Sequence, residues 1–325
     1  IDGELLEKEI NGRLNINDAN IRLDINGLAD WSEEDTRLDI VVQLDDFRPA
    51  TLQLTDQYPN LKIATTAYIS LYTSGKDMKM LDNMTGYVIV DTLQLHNGGQ
   101  QTTMNQFKLL IDKELQDNKT FRQIRIQSDY LTANMSGEFD YSTLPITVQR
   151  IIHSHIPTLI APPTSKKQTT NNLDFYAYFR GLDSITQVLD MEVELPSYPT
   201  IKGFIHEDKQ QVGLQAYIPA INTSGAQMED ITISLNNQHQ ELDLSIYLLN
   251  HLPKHNPTAA KIGDVKTNIR MHANNDALDL QVELGNTDSV RNEGVIHVAS
   301  QLSKYKKKPR FDITVVPTNI VLNDS

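Results

Sequence analysis

Apolar and polar residues alternate with a period of two along most of this chain, and that pattern constrains its fold more than anything else in it. Successive side chains of an extended strand point to opposite faces, so alternation means strands with one dry side and one wet side. In NIRLDING, Leu23 and Ile25 follow Ile21 on one face, while Arg22, Asp24 and Asn26 take the other. TRLDIVVQL places Leu38, Ile40, Val42 and Leu44 together. The same spacing links Ile124 with Ile126, and it runs through Val212, Leu214, Ala216 and Ile218. It returns in Ile231, Ile233 and Leu235, and in Leu242, Leu244, Ile246 and Leu248. Leu278, Leu280, Val282 and Leu284 repeat it once more. Antiparallel sheets allow one solvated face, whereas buried parallel sheets do not. Polar clusters supply the turns: NIND at 15–18, HNGG at 96–99, QDNK at 116–119, NNQHQ at 236–240 and NND at 274–276. Such short connections pair strands in sequence order, which gives roughly fifteen to eighteen strands in an antiparallel meander.

Two stretches depart from the alternation. Residues 142–160 carry Leu144, Val148, Ile151, Ile152 and His155 at helical spacing, with Ser142 placed to cap the helix and Pro157 near its end. DSITQVLDME, from Asp183, predicts a shorter helix with Ile185, Val188 and Leu189 inward. Between them, APPTSKKQTTNN at 161–172 has the composition of a loop or linker. The expected organisation is a first stretch of curved sheet over 1–160 ending in a short helix, the loop over 161–172, and a second stretch over 173–325 continuous with the first.

One short phrase occurs twice. Gly27, Asp30, Trp31 and Ser32 match Gly137, Asp140, Tyr141 and Ser142 in type and spacing. Each copy ends an alternating strand, where glycine permits a bend or bulge that a larger residue resists. Gly86, Gly203 and Gly294 also precede alternating apolar residues, at spacings too irregular for a solenoid of fixed coil length. The phrase reads as a structural gesture and carries no chemistry of its own.

Motifs of catalysis are missing. The sequence holds no G-x-S-x-G, no H-E-x-x-H, no phosphate-binding glycine loop and no dinucleotide fingerprint. With no cysteine, disulfides, thiolate metal sites and cysteine nucleophiles are excluded. His153 and His155 fall two apart on the predicted helix, and Pro253 lies between His251 and His255, so neither pair is arranged for a metal. Asp45 with Asp46 and the HEDK stretch at 206–209 read as solvated turns. A protein that is not an enzyme, without cofactor or metal, is the expectation. The net charge of −13 argues against nucleic acid as a partner, because phosphate binding needs a basic face. One basic run stands out: Lys304, Lys306, Lys307, Lys308 and Arg310, with a weaker companion in SKK at 165–167. It is either a solvated connection between strands or a contact for anionic headgroups or an acidic partner protein. No run approaches 18 apolar residues, and the chain opens at Ile1 inside patterned sequence, as a piece of a longer protein would.

The dry face needs a cover. Two packed sheets would provide one, but such cores recruit more aromatic residues than the 6% present. Aliphatic chains of similar size on successive strands suit a smooth trough. At ~4.8 Å per strand, fifteen strands extend roughly 70 Å. A trough of that length exceeds the few hundred Å² of apolar surface that a monomer normally exposes. Its candidate lining is the set of alternating residues named above, from Leu23 to Leu284, and its occupant an acyl chain or the apolar face of another protein's strand.

Three stretches resemble the TamB-like proteins of the AsmA-like group, the inner-membrane-anchored subunits of translocation and assembly modules in Gram-negative envelopes. They are INGRLNINDANIRLDINGLADWS, then IRIQSDYLTANMSGEFDYSTL with the helix after it, and IKGFIHEDKQQVGLQA. The resemblance covers about residues 10 to 300 and implies an elongated antiparallel meander curled into an open half-pipe, the β-taco, with one or two short helices. It implies a periplasmic location, a membrane anchor outside this stretch, and an Omp85-family outer-membrane protein as partner. It also implies a role in moving phospholipid between inner and outer membrane, or in assembling outer-membrane β-barrel proteins. It brings no catalytic residue. Three readings are therefore carried forward: a lipid conduit, a scaffold that binds β-strands of outer-membrane proteins, and a rigid spacer whose dry faces pack on each other.

Overall fold

Alternation becomes antiparallel sheet throughout the computed structural model, which describes residues 2–6, 8–31, 35–75, 78–165, 169–196, 198–223, 226–239, 241–251, 263–286 and 292–322. In chain order the elements begin with β1 (Asp2–Leu6), β2 (Glu9–Asn17), β3 (Ile21–Asp30), β4 (Asp35–Phe47) and β5 (Leu61–Ser74). Helix α1 (Met78–Asn83) precedes β6 (Thr85–Asn97), β7 (Gln100–Gln116), β8 (Lys119–Gln127) and β9 (Leu131–Glu138). Helix α2 (Leu144–His155), β10 (Asn172–Phe179), α3 (Leu182–Val188) and the two-residue β11 (Val193–Glu194) follow. The chain continues with β12 (Thr200–His206), β13 (Gln211–Thr223), β14 (Gln227–Asn236), β15 (Leu242–His251), β16 (Val265–Asn274), β17 (Ala277–Asn286), β18 (Asn292–Tyr305) and β19 (Lys308–Leu322). Two compact units result: Ile1–Ser142 with Ala177–Glu194, and Thr143–Tyr176 with Leu195–Ser325, the division falling within β10.

In the first unit β1 to β9 pair antiparallel in sequence order, and in the second β12 to β19 do the same. Among the described residues β1 does not pair with β9, nor β12 with β19, so neither sheet closes into a barrel. Register brings the dry residues into rows. One row of the first unit runs Gly12, Gly27, Ile40, Ile69, Val88, Leu109, Ile126, Ala133, each opposite the next. The row beside it runs Ile10, Ala29, Leu38, Leu71, Gly86, Ile111, Ile124, Met135. In the second unit a row runs Gly203, Leu214, Leu235, Leu244, Met271, Leu280, Val298, Val315. A register slip of one residue would turn every one of these side chains to the wet face, which makes the pairing strongly specified.

The opposite face is polar and carries exposed tyrosines. Tyr68, Tyr72, Tyr87 and Tyr217 all lie there, and Tyr72 and Tyr217 donate their hydroxyls to Asp35 at 2.8 Å and Asp230 at 3.1 Å. Several of the few aromatic residues therefore decorate the wet side.

Turn chemistry sets the hairpins. Asp117 and Asn118, Asn275 and Asp276, and Lys306 and Lys307 each form a pair of successive residues with positive φ, the signature of a type I′ two-residue turn. Asparagine and aspartate tolerate that conformation; Lys306 and Lys307 adopt it without their advantage. Gly98 and Gly99 join β6 to β7.

The helices correct two expectations. There are three in the described residues, where one or two were expected; α1, MKMLDN, is too short to show periodicity. Helix α2 ends at His155, near Pro157 as expected, where the chain turns at Ile156. Its N-cap is Thr143, without a side-chain cap bond, and Ser142 is engaged elsewhere. The described residues hold nineteen strands, β11 included, slightly more than the expected number. Ser32, Lys166, Lys167, Pro253 and His255 lie outside the described residues.

The glycines of the repeated phrase do what their positions demanded. Gly27 and Gly137 share φ values of 149° and 151°, and Gly86 has 130°, all in the region that L side chains rarely adopt. A Cβ on Gly27 would lie 2.0 Å from the Asp39 carbonyl oxygen, and one on Gly86 2.0 Å from that of Ser70. Gly294, with no contact nearer than 3.8 Å, is unconstrained. Gly86→Ala is therefore expected to cost about 2 kcal/mol or more in urea unfolding followed by circular dichroism, and Gly294→Ala less than about 0.5 kcal/mol. Equal effects would remove the assigned strain.

Candidate functional site: an aliphatic sheet face in each unit

In the first unit Leu23, Ile25, Leu38, Ile40, Val42, Ile124 and Ile126 share one face. In the second, Leu214, Ile218, Ile231, Ile233, Leu242, Leu244, Ile246, Leu280, Val282 and Leu284 do so. Most are half-buried; Ile231 and Leu242 are buried, and Leu284 is exposed at 41%. Ile69, Val88, Leu109 and Ile111 complete the face in the first unit, as do Ile269, Met271 and Val298 in the second; alternation in ATTAYISLYT and MNQFKLLID is diluted by alanine, threonine and asparagine, which hid the first group. The centre of the face is thus apolar and remains accessible: Ile40, Ile69, Val88, Leu109 and Ile126 are all half-buried.

Helices sit over this face near the strand ends, held by polar contacts. In the first unit Arg122 follows the dry parity of Ile124 and Ile126 yet is a guanidinium, 8% exposed. Its Nε donates to the Asp82 carbonyl at the end of α1 at 3.0 Å, its Nη1 to the Phe139 carbonyl, and its Nη2 lies 2.8 Å from Asp140 Oδ1. The Asp82 carboxylate accepts the Ser142 amide at 3.1 Å and hydroxyl at 2.6 Å. The second copy of the repeated phrase therefore fastens α1 to the sheet: Gly137 lies opposite Arg122, Asp140 pairs with it, and Tyr141 packs edge-on to Phe139 at 5.2 Å. Burial raises the pKa of Tyr141. The first copy shares the backbone bend but ends in Trp31, 43% exposed. At the opposite strand ends Asn97 donates to the Val188 carbonyl of α3 at 2.9 Å, and Thr102, Tyr130 and Ser184 share hydroxyl bonds.

In the second unit α2 buries Ile151 completely. Glu207, 7% exposed, accepts from Thr147 Oγ1 at 3.0 Å, from the Asn171 amide at 2.9 Å, and from Arg150 and Thr169. At the end of the helix Asn237 accepts the Val212 amide at 2.7 Å and donates to the Gln210 carbonyl at 2.8 Å. Asn237 Nδ2 also lies 3.1 Å from His155 Nε2, and as a donor it requires that nitrogen to be unprotonated. Burial lowers the pKa of His155, against the opposing pull of Asp243. Asp276 accepts the amide and hydroxyl of Thr158, each at 2.8 Å. Toward the other strand ends an apolar recess of about 250 Å³ opens between Val265, Leu284, Gly294, Ile296 and Ile320.

The basic run forms the tip of the β18–β19 hairpin: Lys304, Lys306, Lys307, Lys308 and Arg310 are all exposed. Lys306 Nζ stands 5.3 Å from the Tyr305 ring, and Arg310 pairs with Asp312 at 2.7 Å. His153 and His155 do not converge, since His153 Nδ1 contacts the Ile160 carbonyl at 2.6 Å. Glu241, Asp243 and His272 bring donor atoms within 4.8 Å of one another on the wet face, where His272 and Asp243 already pair at 2.5 Å. No helix among the described residues is long and apolar enough to cross a membrane. Comparison with protein families, curated proteins and solved structures returned no match to this chain.

Two outcomes test the polar supports. Glu207→Ala strands several donors, and its expected cost is about 2–3 kcal/mol in chemical denaturation, whereas a loss under about 0.5 kcal/mol would make the cluster incidental. For His155 the folded pKa lies below the unfolded one, so the unfolded state binds more protons. Its contribution is full above about pH 6.5 and is lost as pH falls toward and below the folded value. His155→Gln keeps an acceptor and should flatten the pH dependence of stability below that point; parallel curves for the two proteins would refute the assignment.

Proposed function

We propose that the aliphatic faces bind acyl chains, and that the protein is a periplasmic conduit for phospholipid between the inner and outer membranes, held to the inner membrane by an anchor outside this stretch. The observation that carries this reading is the set of half-buried aliphatic rows, continuous from strand to strand in each unit, with helices only near the strand ends. Each CH₂ withdrawn from a bilayer into water costs about 0.8 kcal/mol, and an apolar face returns most of that. Transfer from bilayer to trough is then nearly isoenergetic for the chain, and the three central rows, which contain no polar side chain, offer no deep minimum along the path. Headgroups stay in water at the rim. Motion on these residues is passive, with any energy source elsewhere, and an Omp85-family protein is the proposed outer-membrane partner.

The same rows would also receive the apolar side of an extended strand, so a scaffold for β-strands of outer-membrane proteins is the competing reading. Mass spectrometry of lipid extracted from the purified protein separates them. Stoichiometric phospholipid is expected in the wild type, and none in Leu244→Asp or Ile233→Asp variants that retain their circular dichroism. A folded variant that keeps its lipid would overturn the face assignment. A lipid-free wild type that binds an unfolded outer-membrane β-strand peptide would favour the scaffold.

A further inference from the structure

On the wet face of the second unit, strand register gathers a histidine and two carboxylates that the sequence keeps apart. Glu241 and Asp243 stand two residues apart and so share a face, and Asp243 lies opposite His272 of β16. One oxygen of each carboxylate and one nitrogen of the imidazole all lie within 4.8 Å of one another. His272 Nδ1 is 2.5 Å from Asp243 Oδ1. The next carboxylate along that row, Asp279 opposite His272 on β17, is already engaged by His297 Nε2 at 2.7 Å. Arg270, two residues before His272, reaches to Glu283 at 3.6 Å. Among the described residues the ion pair of Asp243 is with His272, and no lysine or arginine pairs with Glu241. One imidazole therefore faces two carboxylates, and the group has negative charge to spare.

A hollow of about 680 Å³ opens beside this group. Small side chains make room for it: Ala299, opposite Asp279, and Ala277, opposite Asn274, both end at Cβ. Glu241 and His272 form part of its wall, together with Asp279, Asp312 and Thr314, and no lysine or arginine lines it. We propose that Glu241, Asp243 and His272 bind a divalent transition-metal ion, with zinc as the ion they suit best. An imidazole beside carboxylates is a donor set for zinc and its neighbours, whereas calcium and magnesium favour oxygen alone. Three protein ligands leave a fourth tetrahedral position, to which the hollow admits water.

Little has to move for the ion to enter. Bonds of ~2.0–2.1 Å in a tetrahedral site hold ligand atoms roughly 3.4 Å apart. The present spread is close to that, and the exposed side chains of Glu241 and His272 are free to turn by the remainder. The backbones of Asp243 and His272 stay fixed by the β15–β16 ladder. As the carboxylate of Asp243 accepts, Nδ1 of His272 now carries the proton between them; on binding, that proton passes to water and the nitrogen lone pair goes to the ion. The ion then ties the bend before β15 to β16 and offsets the surplus negative charge. No local motif announces such a site, because Asp243 and His272 are 29 residues apart and only the register joins them.

With no cysteine in the chain, no thiolate competes for zinc, and calorimetric titration of the purified protein with zinc chloride reads the site directly. One saturable site per chain is expected, and a large excess of calcium should leave it intact. Loss of an outer-shell partner alone costs about 10–100-fold in metal affinity, so His272→Ala and Asp243→Asn, each removing a ligand, should weaken binding by at least about tenfold. The asparagine still accepts the imidazole hydrogen bond, which separates ligation from the structural pair. His297→Ala, in the neighbouring histidine–carboxylate pair, should keep the wild-type affinity. Zinc should also raise the melting temperature of the wild type and leave that of His272→Ala where it was. A wild type without saturable binding overturns the proposal, and so does a folded His272→Ala that binds as tightly as the wild type. Equal losses in His272→Ala and His297→Ala, or displacement of zinc by calcium, would mean diffuse attraction to an acidic face and overturn it too. Should a variant lose its circular dichroism, the wild-type titration and its calcium competition decide.

Discussion

An antiparallel sheet with one dry face is unstable in water until that face is covered, and most features of this structure follow from how that requirement is met. Register gathers isoleucine, leucine and valine into rows that cross strand after strand without a break. Burial of such surface contributes about 25 cal/mol per Å², so leaving it half-accessible forgoes stability that a sandwich would collect. The strands themselves must then hold the fold through their ladders and through the contacts between neighbours in each row. Acyl chains are the proposed occupants of this face because it is aliphatic and accessible.

The helices show how the ends of such a face are treated. A bare apolar floor meeting water at its ends would expose strand termini and their backbone groups. Here α1, α2 and α3 lie near those ends, each tied down by a polar group: Arg122 for α1, Asn97 for α3, and Glu207 with Asn237 for α2. Each has partners satisfied by backbone or side chain, as buried polar groups require. The charges of Arg122 and Glu207 are taken up by these structural bonds.

Period-two alternation was enough to read the strand class, the sequential pairing, the hairpin turns at residues 98–99, 117–118 and 275–276, and the face on which Leu38, Ile40, Leu214 and Leu244 lie. The glycine of the repeated phrase was legible as a bend because few other residues serve there. What escaped the sequence had weaker local signals. Helix α1 is six residues long and shows no periodicity. Ile69 and Leu109 sit in strands diluted by small or polar residues. Arg122 has the parity of the dry face but the chemistry of the wet one, and only its contacts across the fold, to Asp82 and Asp140, explain it. The role of Ser142 as a partner of Asp82 likewise depends on an approach between segments sixty residues apart.

Pairing in sequence order has a consequence for how this architecture is made and how it can change. Most ladders join strands separated by a short turn, so most contacts that define the fold are local along the chain, and local contacts form quickly because little loop entropy opposes them. Each hairpin can zip onto the last as it emerges, without waiting for a distant partner. For the same reason a pair of strands can be inserted or deleted at a turn such as Asp117–Asn118 while the registers on either side stay as they were. Length is then a freely adjustable property of such a sheet, set by the number of hairpins strung together.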